Sequence, residues 1–285
     1  MKFISYRENA AVGIALEVAG EYRGLTADAT HYPGTLDDLL RAGEAQLHIA
    51  AELLQRYGAH VDPSAVKLLP PVEPGKIICI GLNYADHAAE AGLQMPAVPT
   101  IFSRFASSIV GAESAIILPK VSESLDFEGE LAVVIGKRGR HIDVGSALEH
   151  VAGYCCFNDG SIRDYQLRTP QWMIGKNFDQ TGSLGPALVT ADALPAGASG
   201  LAIQTRLNGD LVQSSSTGEL IFDVATLLSL LSEAFELSPG DVIATGTPAG
   251  VGLARTPPLW MKAGDICEVE IEGIGTLRNV IQAEA

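Results

Sequence analysis

Residues 125–137 read LDFEGELAVVIGK, with Asp126, Glu128 and Glu130 at alternate positions ahead of an apolar run. Side chains at i, i+2 and i+4 of a strand share a face, so the spacing predicts three carboxylates side by side. Like charges that close repel, and burial raises the cost. Two arrangements relieve it: an exposed strand edge that leaves the carboxylates in water, or a divalent cation held by their oxygens. A cation needs a further ligand, and YCCFNDGSIRDYQ supplies Asp159, at the end of an apolar strand and beside Gly160, where a turn carries it toward a cleft. An all-oxygen set of this kind selects Mg²⁺, Mn²⁺ or Ca²⁺ over zinc and leaves positions open for water or substrate.

Three further groups could do chemistry. His87 and Glu90, in GLNYADHAAEAG, are three residues apart and would meet on one side of a short helix. A carboxylate-held imidazole is a general-base arrangement; the alternative is an incidental surface ion pair. Lys176 follows an apolar run in QWMIGKNFD, as an electrophile or anion contact, or else with its ammonium reaching solvent. Thr247 sits in GDVIATGTPAGVG, a tight loop after a strand. That loop lacks the GK[ST] of a phosphate-binding loop and is no dinucleotide fingerprint, and a purely structural turn is the other reading.

The elements that must position these groups are mostly strands. Residues 2–25 alternate like a hairpin punctuated by Gly13 and Gly20. A helical stripe follows over 36–54, with Thr35 and Asp38 as a capping box and Gly58 as a stop. Gly43 on that stripe argues against one unbroken helix. Prolines 63, 70, 71 and 74 mark a connector and place a domain boundary near residue 70: a small α/β domain over 1–70 and a larger domain over 71–285. Beyond it the spacing predicts strands near 76–82, 115–119, 130–136, 152–159, 185–190, 201–209, 240–246 and 266–273, with one clear helix from Asp223 stopped at Pro239-Gly240. The fold class is therefore mixed and β-rich, α+β rather than regular βαβ alternation.

Composition narrows the function. The chain has 285 residues, 47% of them hydrophobic and 19% charged, enough for a sizeable core. A net charge of −15 with no basic run argues against nucleic acid as a partner. It would also repel an anionic substrate unless basic groups or a cation gather inside the site. Cys79, Cys155, Cys156 and Cys267 form no CxxC pair and read as buried thiols of a reducing compartment. The N-terminal segment lacks the apolar stretch of a signal peptide, and no run of about 18 apolar residues could span a membrane. These features predict a cytoplasmic protein.

Together the segments DFEGELAVVIGK, NDGSIRDYQ, GKNFDQTGSLGPALV, ATGTPAGVG and EIEGIGTLRNVI, in this order and spacing, resemble the fumarylacetoacetate hydrolase family over roughly residues 72–281. The resemblance implies a β-sandwich roll catalytic domain behind a small N-terminal domain, commonly in a homodimer. It implies Mg²⁺ or Mn²⁺ held by Glu128, Glu130 and Asp159, with Lys176 as the active-site lysine. His87 and Glu90 match a pair carried on a lid, and Arg163, Gln166 and Thr247 fall on substrate-contacting positions. The chemistry it implies is hydrolysis of a C–C bond in a β-diketo acid such as an acylpyruvate, through a metal-stabilised enolate. Decarboxylation of an oxaloacetate-like 2-oxo acid, or isomerisation or hydration of a 2-hydroxymuconate-type acid, is the alternative on the same site. Two departures stand out. Ile162 replaces a smaller residue beside Arg163, and Arg104-Phe105 stands where relatives often have Lys-Pro, which bears on how the distal end of the substrate is held.

Overall fold

A computed structural model describes residues 1–85 and 97–285. Its main sheet has 12 strands among the described residues. Across it run Ala59–Val61, Glu21–Thr26, Ala11–Val18, Lys2–Glu8, Gly182–Thr190, Val151–Asn158, Gly129–Ile135, Val242–Ala244, Ile77–Gly81 and the edge strand Thr100–Arg104, while Lys67–Leu68 pairs with Lys2–Glu8 and Ile109–Val110 with Gly182–Thr190. A second sheet, of five strands among the described residues, runs Asp210–Ser216, Ala202–Leu207, Ile266–Ile271, Gly275–Ala283 and Ile116–Leu118. This is the mixed, sheet-rich α+β architecture that the pattern predicts.

The apolar run after Glu130 follows from burial on both faces. Leu131, Val133 and Ile135 point into a core shared with Ile203, Val269 and Ile271 of the second sheet and with Leu227, Leu228 and Leu231 of the helix Val224–Ala234. Ala132 and Val134 point the other way, into a core shared with Leu36, Leu40, Leu47 and Leu54. Those leucines lie on two helices, Leu36–Ala42 and Glu44–Tyr57, separated at Gly43, whose φ of 100° no helix can continue. The capping box at Thr35 and Asp38 and the stop at Gly58 are both present.

The N-terminal alternation makes three strands rather than one hairpin. The chain turns at Asn9-Ala10 and at Ala19-Gly20, while Gly13 lies inside a strand, where the Tyr6 ring leaves no room for a side chain. Lys2–Glu8 pairs with Gly182–Thr190, so the sheet runs across the compositional boundary near residue 70. No helix among the described residues is long and apolar enough to cross a membrane.

Candidate active site

The carboxylate segment is not one strand. Leu125–Asp126 pairs with Ser161–Ile162, residues 127 and 128 belong to neither strand, and Gly129–Ile135 pairs with Val151–Asn158. Phe127 turns into a separate core with Leu125 and Ile162, so Ile162 packs there rather than adding bulk to the cleft wall. The predicted face of three carboxylates is therefore corrected. Asp126 accepts the amides of Gly252 at 2.7 Å and Leu253 at 3.0 Å and the Arg163 Nε–H at 2.7 Å. Glu128 and Glu130 meet Asp159 instead, with one oxygen of each within 4.8 Å of the others. All are buried, so the solvated edge does not occur. Gly129 between the two glutamates permits this approach of the sheets: a Cβ there would lie 2.2 Å from Thr205 Oγ1.

Buried cations surround the cluster. Lys176 Nζ donates to Glu128 Oε2 and Asp159 Oδ2, each at 2.7 Å. Arg163 Nη1 lies 2.7 Å from Glu128 Oε1 and donates to Gln166 Oε1 at 2.9 Å. Arg104 Nη1 donates to Asp159 Oδ1 at 2.6 Å and to the Gly160 carbonyl at 2.9 Å. Burial by itself would lower the pKa of Arg163 and of Lys176. The carboxylates overcome it and raise both, Asp126 and Glu128 acting on Arg163, Asp159 and Glu128 on Lys176. Neither cation is spare: Lys176 does not reach solvent, and Arg163 is committed to carboxylates.

Among the described residues, Glu130 has the weakest support of the three. Its Oε2 accepts the Gly246 amide at 2.9 Å. Burial, then Asp159 and Glu128, push its pKa well above the carboxylate range, with Lys176 and the amide opposing. Among the described residues, the cluster of Asp126, Glu128, Glu130 and Asp159 against Arg104, Arg163 and Lys176 carries one carboxylate in excess. A hard divalent cation fits this donor set and this charge deficit. It would leave a net positive site for an anionic substrate, which answers the repulsion expected from the chain's overall charge.

One cleft gathers Glu128, Glu130, Arg163, Gln166, Lys176 and Thr247, with Ile80, Phe102 and Trp172 as its apolar side. Trp172 packs edge-on to Phe102, with ring centroids 5.6 Å apart. His87 and Glu90 lie outside the described residues. Arg104 departs from its expected place: it is fully buried on Asp159 rather than at the distal end of a substrate. Its signal was an arginine closing a strand, but the partner lies 55 residues away and leaves no local trace.

The family model described as fumarylacetoacetate (FAA) hydrolase C-terminal matches residues 76–282. The chain belongs to the fumarylacetoacetate hydrolase family. A mitochondrial oxaloacetate tautomerase of Xenopus laevis is 42% identical over 273 residues, covering 95% of this chain and 85% of that protein. Among solved structures, a fumarylacetoacetate hydrolase of Exiguobacterium antarcticum is 36% identical with a TM-score of 0.87, covering 100% of both chains. A maleylpyruvate hydrolase of Sphingobium sp. SYK-6, solved with manganese(II) and pyruvate, is 27% identical with a TM-score of 0.81, again covering 100% of both. Relatives within the family thus carry both tautomerase and hydrolase names.

Proposed function

We propose that this member of the family is a divalent-metal enzyme that moves a proton at the carbon beside the keto group of a short 2-oxo acid, oxaloacetate or a close analogue. The observation that carries the reading is the buried set Glu128, Glu130 and Asp159, whose ligand oxygens lie within 4.8 Å of one another, with Glu128 and Glu130 lining a cleft beside Lys176 and Arg163. A Mg²⁺ or Mn²⁺ ion held there would polarise a 2-oxo acid and acidify the adjacent C–H. Lys176, kept protonated by its neighbours, supplies positive charge where the enolate oxygen forms. Arg163 holds Glu128 in place, and because Gln166 Oε1 accepts from Arg163, the Gln166 amide hydrogens are left to donate to substrate. Thr247 offers its hydroxyl to a substrate carboxylate. His87, with Glu90, carries the proton. The tautomerase name of the Xenopus relative favours oxaloacetate.

Hydrolysis of an acylpyruvate-like β-diketo acid is the second reading, favoured by the hydrolase solved with pyruvate. There His87 would take the proton of an attacking water, and the same residues would hold the departing enolate. The two separate by product. Purified enzyme with Mg²⁺ or Mn²⁺ would be given enol-oxaloacetate and a panel of acylpyruvates, with decay followed by absorbance and products identified. EDTA-sensitive interconversion of the oxaloacetate tautomers, without fragmentation, supports the first reading. Two acid fragments from an acylpyruvate move the protein to the second, and CO₂ from oxaloacetate would make it a decarboxylase. No metal-dependent turnover of any 2-oxo acid would refute both readings.

A further inference from the structure

Gln213 lies on the strand Asp210–Ser216 of the second sheet, only 2% exposed, and no motif above includes it. Its amide nevertheless reaches the site three times. Oε1 accepts the Gly129 amide at 3.0 Å, while Nε2 donates to Thr247 Oγ1 at 2.8 Å and to the Pro248 carbonyl at 2.9 Å. Two of these partners fix the orientation of the amide by their chemistry alone. A backbone N–H only donates and a backbone carbonyl only accepts, so Oε1 must face Gly129 and Nε2 must face Pro248. The second Nε2 hydrogen then meets Thr247, whose oxygen is the acceptor. A hydroxyl engaged as an acceptor keeps its own proton for another partner, and Thr247 lines the cleft.

The loop is seated on the same strand at the preceding residue. Gly250 has a φ of +104°, and a Cβ on it would lie 2.2 Å from the Val212 carbonyl oxygen. Arg255 Nη2 donates to that carbonyl at 2.7 Å and to Gly250 O at 3.2 Å. The loop and the glycine between Glu128 and Glu130 are thus held by one side chain from the opposite sheet.

We propose that Gln213 is a positioning residue that makes Thr247 a hydrogen-bond donor into the cleft and sets its distance from the Glu128–Glu130 pair. The class of ligand group it selects there is one with lone pairs and no proton to give, a carboxylate or an enolate oxygen. The proposal rests on the reading of Thr247 as a substrate contact.

The test is a double-mutant cycle on the full chain with Thr247→Val, Gln213→Met and the pair, plus Gln213→Glu. Gln213→Glu keeps the volume and the Gly129 bond but removes the donor to the Pro248 carbonyl and presents an acceptor to Thr247, so the threonine proton turns away from the cleft. Oxalate binding in the presence of Mn²⁺, by calorimetry, gives a readout besides activity, and kcat and KM are measured on the best 2-oxo acid. Each single variant is expected to weaken oxalate by about tenfold, the size of one hydrogen bond to a charged group. The pair should be no weaker than Thr247→Val alone, and Gln213→Glu, checked as folded by circular dichroism, should bind oxalate no better than Gln213→Met. Additive losses, or wild-type oxalate binding by Gln213→Glu, would overturn the proposal. Where Gln213→Met does not fold, Gln213→Glu paired with Thr247→Val completes the cycle. Wild-type behaviour of Thr247→Val overturns the substrate-contact reading first and this proposal with it. An unaltered protein that binds no oxalate with Mn²⁺ refutes the metal-site reading itself.

Discussion

Asp159 is gripped on both oxygens, by Arg104 on Oδ1 and by Lys176 on Oδ2. Such partners orient a metal-binding carboxylate as much as they neutralise it. Arg104→Met would leave a buried carboxylate half-paired, a change that costs about 3–5 kcal/mol when one partner of a buried ion pair is removed. Mn²⁺ affinity should fall by about 10–100-fold, the usual effect of losing an outer partner. Arg104→Lys should recover part of it, since a lysine restores the charge but not the fork that also reaches Gly160 and Thr181. Electron paramagnetic resonance of free Mn²⁺ measures this directly, and wild-type affinity in Arg104→Met would refute it. The thiols give a second expectation. Burial pushes Cys156 and Cys267 up to about 12, and Cys79 and Cys155 well above the ordinary thiol range. Thiolate is the reactive form, so iodoacetamide at about pH 8 should leave the native protein unlabelled and label all four cysteines once guanidinium unfolds it. At this scale residue types were legible and partners were not. The carboxylates, Lys176 and Thr247 stood out by their apolar or glycine-rich settings, whereas the use made of Arg104 and Gln213 depends on residues far away in sequence.

Alternation along residues 125–137 gave the correct faces within the strand Gly129–Ile135 but could not show that the preceding pair of residues belongs to another ladder. Period two says which side chains share a face, not which neighbour they pair with. Here the partner changes from Ser161–Ile162 to Val151–Asn158 across two residues, and that change sends Asp126 away from Glu128 and Glu130. The helical break at Gly43 was legible because a glycine on an apolar stripe has a conformational reason. The strands Asp210–Ser216 and Gly275–Ala283 were not singled out, being half-polar strands of the outer sheet. The close approach of the two sheets at Gly129 carries its own prediction. Gly129→Ala would force a methyl to within 2.2 Å of Thr205 Oγ1 unless the sheets part. Overpacking of this kind costs about 1–3 kcal/mol. Because the glycine separates the two glutamates, Mn²⁺ affinity should fall along with the melting temperature. A Gly129→Ala protein with unchanged metal affinity would mean that the spacing of Glu128 and Glu130 tolerates movement between the sheets.

Across the whole molecule, the first 70 residues and the rest share one sheet and one core, since Leu36, Leu47 and Leu54 pack with Ala132, Val134 and Phe157. Composition allowed a sizeable core and the strand spacing gave the mixed class, but the proline-rich connector could not reveal that the sheet continues past it. Burial on both faces also sets how the protein should respond to alkali. Tyr6 is pushed up to about 12, chiefly by burial and then by Glu8, and Cys156 and Cys267 reach about the same value. Tyr22 and Tyr154 are raised further, again with burial as the first cause. In the unfolded chain thiols ionise near about 8.5 and tyrosines near about 10. The unfolded state therefore sheds protons that the folded state keeps, and stability falls as pH rises. The contribution is fully present below about pH 8 and is lost progressively toward about pH 12. Repulsion within a chain of net charge −15 adds in the same direction, but salt screens it. The urea midpoint should thus be lower at about pH 10 than at about pH 7 even in about 0.5 M NaCl. Equal midpoints in high salt would show that the alkaline loss comes from surface repulsion and that these buried hydroxyls and thiols do not control it.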